Sequence, residues 1–280
     1  MIESLLVVGR GSLGRAVARV LRRGTIRVTT TSGRSPSARA IRSARAILLA
    51  VPDPVISLVS EAIAPLIASK TVVLHAAGSR RSDELEAIRR VGGFVGVMHP
   101  LVSFARGASP RGFDGAISVL DGDPRAVRVA SDIARALGTE PVRASVHGPS
   151  YHAAAALVAN GAVALVHEGV RILVGLGFSR HDAEAGLAGM LGTVVDNVRS
   201  VGVPEALTGP IARGDVLAVA AHREALRGDA RSLAAYDAIS KTILGCSRDR
   251  GLPVARARAI DSALGTSAIQ PRRSRRRARS

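Results

Sequence analysis

Short apolar runs recur through the first half of the chain, and between them apolar positions return at helical spacing. Leu5-Leu6-Val7-Val8 is one such run, and it ends on Gly9-Arg10-Gly11-Ser12-Leu13-Gly14. Ala16, Val17, Val20 and Leu21 then fall on one side of the helix that should follow. Residues 26–30, 46–51, 71–74, 94–97 and 116–120 read as further strands, with helices at 54–68, 82–91 and 124–137. Pro52 and Pro54 bracket Asp53 and force a turn where the third strand ends. Unbroken apolar strands separated by helices predict an α/β fold, a doubly wound parallel sheet covered on both faces.

From Gly148-Pro149 onward the strand rhythm stops, and alanine- and leucine-rich segments at 150–175, 180–200, 214–227 and 230–246 read as helices. The expected division is therefore an α/β domain over 1–148, an all-α domain over 149–268 and a disordered basic tail over 269–280. The most apolar stretch, Ala153 to Val166, is interrupted by Asn160, so no membrane span is expected. Its apolar surface should be buried within the domain or against a second subunit.

Composition narrows the function. One cysteine, Cys246, leaves no disulfide framework and no thiolate-rich zinc site. A reducing, cytoplasmic setting is expected. Residues 1–148 carry 21 basic and 11 acidic side chains, which favours an anionic ligand in that half. Aromatics are 2% of the chain with no tryptophan, so few stacking platforms exist for nucleic acid. The arginine-rich tail is read as solvated, with no dedicated nucleic-acid binding. His147 and His152 lack an accompanying acid or cysteine, and no metal site is expected. His75, His167, His181 and His222 gain no role from their spacing.

Gly9-x-Gly11-x-x-Gly14 follows a strand and opens a helix, as a dinucleotide-binding loop requires. Gly9 permits the tight turn, Gly11 close approach of the backbone to a pyrophosphate, and Gly14 packing of helix on strand. Arg10, Ser12 and Leu13 complete the loop, and the helix start offers free amides to the phosphates. The second strand ends in Thr29-Thr30-Thr31-Ser32-Gly33-Arg34-Ser35 with no acid for a ribose 2′-hydroxyl. Arg34 and Ser35 suit a 2′-phosphate instead, so NADP is expected, with NAD the alternative. Val51, Pro52, Asp53 and Ala77 lie beyond strand ends, where sheet ligands bind.

His99, in Val97-Met98-His99-Pro100, follows the fifth strand and should face the same cleft. An imidazole titrating near neutrality could move the proton that accompanies hydride transfer; a loop-bonding role is the alternative. The chain resembles a group of bacterial Rossmann-like proteins with a C-terminal helical domain of unknown function, within the 6-phosphogluconate-dehydrogenase-like superfamily. The resemblance rests on residues 9–14, 50–53, 75–79 and 98–104, and above all on YHAAAALVAN at 151–160 and ALTGPIARGD at 206–215. It implies an NAD(P)-dependent oxidoreductase that dimerises through its helical domain.

Similarity to prephenate dehydrogenases implies a catalytic role for His99 and one for Ser79. Similarity to pyrroline-5-carboxylate reductases implies that Thr208, Gly209 and Arg213 hold a substrate carboxylate. The lysine used by β-hydroxyacid dehydrogenases and ketopantoate reductases one turn before the asparagine is absent, since Ala156 precedes Asn160. That shifts proton transfer to histidine. His152 and Asn160 fall within about 80° of one another around a helix, with Tyr151 beside them. His152 is equally compatible with a buried hydrogen bond at the domain junction. Asp215 is read either as a helix cap or as a partner orienting Arg213. The combined expectation is hydride transfer between NADP and a small carboxylate-bearing keto or imino compound such as ketopantoate, held in the cleft between the two domains. A non-catalytic dinucleotide sensor is the alternative.

Overall fold

The computed structural model describes residues 2–105 and 112–265; the expected basic tail lies outside them. The chain forms two compact units that divide between Ala162 and Val163.

In the first unit, strands β1 (Ser4–Val8), β2 (Arg27–Thr31), β3 (Ala46–Leu49), β4 (Val72–His75), β5 (Phe94–Pro100), β6 (Ile117–Gly122) and β7 (Glu140–Arg143) form one sheet. Its order is β2-β1-β3-β4-β5-β6-β7. The pairs from β2 through β5 are parallel, and β1 lies between β2 and β3. Connections therefore leave β1 in one direction and return to β3 on its other side, which opens a crevice above the carboxyl ends of β1 and β3.

Both faces of the sheet are covered, which explains why its central strands β1, β3, β4 and β5 are mostly apolar. Leu5 and Val7 pack with helix α1 (Ser12–Leu21) and helix α5 (Pro124–Ala136), as in Val17, Leu21, Ala130 and Ile133. Leu6 and Val8 face the other way, onto α2 (Ala38–Ser43), α3 (Ile56–Ile63) and α4 (Glu86–Arg90), through Ile41, Ile56, Val59 and Ile88. Each such fully buried side chain contributes roughly 1.5–3 kcal/mol.

The sheet departs from the expected all-parallel pattern at one pair. Strand β6 runs antiparallel to β5, and β7 returns parallel to β6 through α5. A parallel return needs a crossover of a dozen or more residues, usually helical, whereas the described part of 101–116 contains no helix. The expected helix at 54–68 is α3 with a 3-10 turn at each end, the second containing Pro65.

Helix α6 (Pro149–Gly175) straddles the division between units. By length and composition it could cross a membrane, with a mean hydropathy of 1.5 over its best window and 11% of that window buried. Averaging absorbs the interruption at Asn160 that a search for unbroken apolar residues stops at. In the second unit, α7 (Arg180–Val201) approaches α6 where Gly169 meets the Leu187 side chain. Helices α8 (Pro210–Arg213), α9 (Val216–Ala225), α10 (Ala230–Asp249) and α11 (Val254–Leu264) enclose a core of Ile211, Val219, Leu244, Ala257, Ile260 and Leu264.

Candidate functional site

The crevice above β1 and β3 is shaped by three glycines with different reasons to be glycine. Gly9 has φ +123°, and a Cβ there would lie 2.1 Å from the Ala50 carbonyl oxygen. At Gly14 a Cβ would lie 2.3 Å from the Gly9 carbonyl oxygen, so both residues are dictated by backbone packing. Gly11 differs. It sits at φ −68° and ψ −176°, a conformation open to any residue, and a Cβ there meets nothing within 4 Å. No packing among the described residues requires glycine at 11, so the empty space beside it fits a ligand that approaches the backbone. Gly11 also caps α1 without a side-chain bond, and the first turn holds no acid. The amides of Ser12, Leu13 and Gly14 thus open onto an anion-favouring helix end.

Basic side chains dominate the stretch of chain that leads to Asp53. Residues 4–52 contain ten arginines and no acid. Arg10, Arg15, Arg19 and Arg22 line a cavity of about 480 Å³ with Gly9, Gly14 and Thr30. Arg34 is exposed just past β2, its amide bonded to Ser32 Oγ at 3.2 Å. Ser35 beside it is exposed as well. Val51 closes on Gly33, where a Cβ would lie 2.6 Å from Val51 Cγ1. Pro52 leads into a 3-10 turn over Asp53–Val55, and the Asp53 carboxylate accepts a hydrogen bond from Ser79 Oγ. Ser79 therefore meets Asp53 and does not line the pocket that holds His99.

The segment after β4 is locked by a histidine to which spacing assigned no role. His75 is fully buried; its Nδ1 accepts from the Ala77 amide at 3.2 Å, which leaves Nε2 to donate to the Arg81 carbonyl at 2.8 Å. Burial holds its pKa below the ordinary histidine value, so it stays neutral. Arg81 Nε donates to the His147 carbonyl at 3.3 Å, and the Gly148 amide donates to the Gly78 carbonyl at 3.1 Å. Gly78 is thereby held under the face of His99: a Cβ at 78 would lie 2.8 Å from Cε1, 2.9 Å from Nε2 and 3.0 Å from Nδ1.

His99, Tyr151, His152 and Asn160 line one pocket of about 620 Å³, whose other walls include Leu101, Phe104, Ala155 and Ala159. His99 Nδ1 lies 2.8 Å from Tyr151 Oη, with the two rings edge to face at 5.4 Å. Burial, with smaller contributions from His147 and His152, pushes His99 down to about 4. The expectation of an imidazole poised near neutrality is thus corrected: His99 is a neutral ring at physiological pH. Burial raises Tyr151 to about 12. His147 packs edge-on against Tyr151 at 5.2 Å and is 2% exposed.

The remaining expected residues belong to the second unit. Gly209, at φ +102°, follows Thr208 and caps the short helix α8, which ends at Arg213. The Arg213 side chain is exposed, while its carbonyl accepts from Arg256 at 3.1 Å. Asp215 Oδ1 accepts from the Ala218 amide at 3.0 Å, so the capping reading of Asp215 holds.

Comparison with known families places part of this chain. Residues 116–243 match the family model of a domain of unknown function, DUF2520. The DUF2520 match begins just before β6, so it takes in the last strands of the sheet as well as most of the helices. No curated protein matches the sequence. Among solved structures, a Thermotoga maritima protein (TM1727) is 24% identical with a TM-score of 0.68, covering 87% of this chain and 99% of that one. A Bacteroides fragilis protein described provisionally as an NADP oxidoreductase is 17% identical, with a TM-score of 0.70 and coverage of 86% and 98%. Plasmodium falciparum pyrroline carboxylate reductase with NADP bound is 13% identical, with a TM-score of 0.56 and coverage of 95% and 100%. These likenesses establish the fold, a Rossmann-type sheet followed by a helical domain.

Proposed function

We propose that this chain is an NADP-dependent oxidoreductase acting on a small keto or imino compound in the His99 pocket. The observation that carries the reading is Gly11: its conformation suits any residue and its surroundings are empty, so glycine there serves a ligand's approach. The amides from Ser12 to Gly14 would receive the pyrophosphate, and Arg34 with the acid-free surroundings of residues 4–52 favours a 2′-phosphate. A bound nicotinamide would supply or accept the hydride. His99, neutral and on the pocket wall, donates a hydrogen bond and then a proton to the reduced group, and Asn160 offers a second polar contact there. Fold relatives include a reductase crystallised with NADP, which supports the same class of chemistry.

Titration with NADPH and NADH followed by nicotinamide fluorescence is the direct test. NADPH should bind about tenfold more tightly, which is ~1.4 kcal/mol. A panel of 2-keto acids and cyclic imines should then reveal NADPH oxidation that is lost in His99→Gln while NADPH affinity is kept. Absence of binding by both dinucleotides overturns the proposal; binding without turnover of any panel member moves it to a dinucleotide sensor.

We further propose that two copies of the chain associate through α6 and α7. Leu157 and Val163 on α6 are 75% and 70% exposed and Met190 on α7 is 58% exposed, an apolar surface of the kind that subunit contacts cover.

A further inference from the structure

The His99 ring has two nitrogens and one protein partner. Nδ1 faces Tyr151 Oη at 2.8 Å, and Nε2 makes no hydrogen bond among the described residues. Two arrangements satisfy that distance: the phenol donates to Nδ1 and leaves the ring proton on Nε2, or Nδ1–H donates to the phenol and leaves Nε2 bare. A neutral imidazole nitrogen is a far better acceptor than a phenol oxygen, and a phenol is a better donor than a neutral imidazole N–H. The first arrangement is therefore the stable one.

The surrounding packing allows the pair little freedom to rearrange. Gly78 lies against the face of the imidazole, and the Tyr151 ring meets it edge to face. His147, itself buried, holds the Tyr151 ring from another side at 5.2 Å.

We propose, on the basis of the reductase reading above, that Tyr151 is the positioning residue of the reaction and its proton reserve. It holds His99 as the Nε2–H tautomer and gives its own proton to Nδ1 as Nε2–H is spent. In the reductive direction, the carbonyl carbon gains a hydride from the reduced nicotinamide dinucleotide and the C=O π pair moves onto oxygen. That oxygen takes the Nε2 proton, Nδ1 takes the Tyr151 proton, and the phenolate left behind is reprotonated by solvent. The substrate gains two electrons and two hydrogens, and the dinucleotide is oxidised. An alkoxide is more basic than a phenolate, so the transfer runs downhill even with Tyr151 raised to about 12.

The groups that act electrostatically on His99 come from several elements: His75 from β4, Asp53 beyond β3, His147 ahead of α6 and His152 on it. Asp53 favours a charged ring and the three histidines oppose it, with burial the larger influence. His99 is accordingly neutral from about pH 5 upward.

Long-range proton–nitrogen spectra of the full chain labelled with 15N-histidine test the assignment without any substrate, with His99 identified by its absence in His99→Gln. The wild type should show the Nε2–H tautomer at neutral pH with no protonation above pH 5, and Tyr151→Phe, which keeps the ring, should show a mixture of tautomers. In turnover of the best panel substrate, Tyr151→Phe should lower kcat by roughly 100-fold with KM and NADPH affinity unchanged. Its proton inventory in mixed H2O and D2O should be linear where the wild type is curved. An Nδ1–H tautomer in the wild type, a tautomer indifferent to Tyr151→Phe, or linear inventories in both proteins overturns the proposal. Should no panel compound be reduced, the reductase reading fails and the spectra still decide the tautomer.

Discussion

Glycines that look alike in the motif separate by what a methyl group would meet. Gly9→Ala would drive a Cβ into the Ala50 carbonyl at a φ of +123°, so it should destabilise the first unit by about 3 kcal/mol. Gly11→Ala meets no protein atom within 4 Å and demands no unusual conformation. It should melt within a degree or two of the wild type yet bind NADPH at least about tenfold more weakly, because the methyl group takes the space the pyrophosphate needs. Differential scanning fluorimetry and fluorescence titration on the pair check this together. If Gly11→Ala binds NADPH normally, the loop is not where the dinucleotide lies. Gly78→Ala is a third case: its Cβ would lie within 3.0 Å of three His99 ring atoms. That variant should keep NADPH affinity and lose turnover to the same extent as His99→Gln.

At the scale of elements, what could be read from the sequence depended on where each partner lies along the chain. Strands β1 and β3 to β5, together with α1, are legible because burial on both faces makes each strand predominantly apolar and leaves α1 a single apolar stripe. Strand β7 is Glu-Pro-Val-Arg, at the sheet edge, with one apolar residue and a proline, and no periodicity marks it. The reversal of β6 is set by a connection without a helix in its described part, which is a property of the link and not of the strand. Helical angle puts Tyr151, His152 and Asn160 of α6 near one another, and the structure brings them to one pocket, but the bond from Tyr151 to His99 spans 52 residues and no spacing rule reaches it. Spacing assigned His75 and His147 no role, because what they do comes from burial. Helix α6 also carries a prediction. Its Tyr151 is bonded to His99, and its Glu168 is paired with Arg171 and Arg231, contacts a bilayer would have to strip away. The free chain should therefore be a dimer in detergent-free buffer by light scattering. Leu157→Glu with Val163→Glu should halve the mass without changing the circular dichroism. A monomeric wild type, or flotation of the wild type with lipid vesicles, overturns the self-association reading.

For the molecule as a whole, the neutral histidines set how stability depends on pH. His75, His99 and His147 all have folded pKa values below 6.5 because burial opposes their charged form. The unfolded chain therefore binds more protons than the folded one as pH falls through 6.5, so stability is lost on acidification, and His99 stops contributing to that loss near pH 4. Between pH 7 and pH 5, His99 alone should remove about 2 kcal/mol. Carboxylates act in a separate window: Asp229, drawn down to about 2 by Arg171 and Ser232, gives stability that fades only as pH falls below 3.8. A chain of formal charge +17 also repels itself more strongly as histidines ionise, and that contribution is the competing cause of acid lability. Salt separates the two. At 0.5 M NaCl long-range repulsion is screened, whereas the penalty for charging a buried imidazole is little affected. Urea denaturation at both pH values should thus show an acid loss that persists in high salt and shrinks by about 2 kcal/mol in His99→Gln. An acid loss abolished by salt and unchanged in that variant would trace the effect to surface charge, and His99 would then not be the desolvated, neutral group that the proposed proton transfer requires.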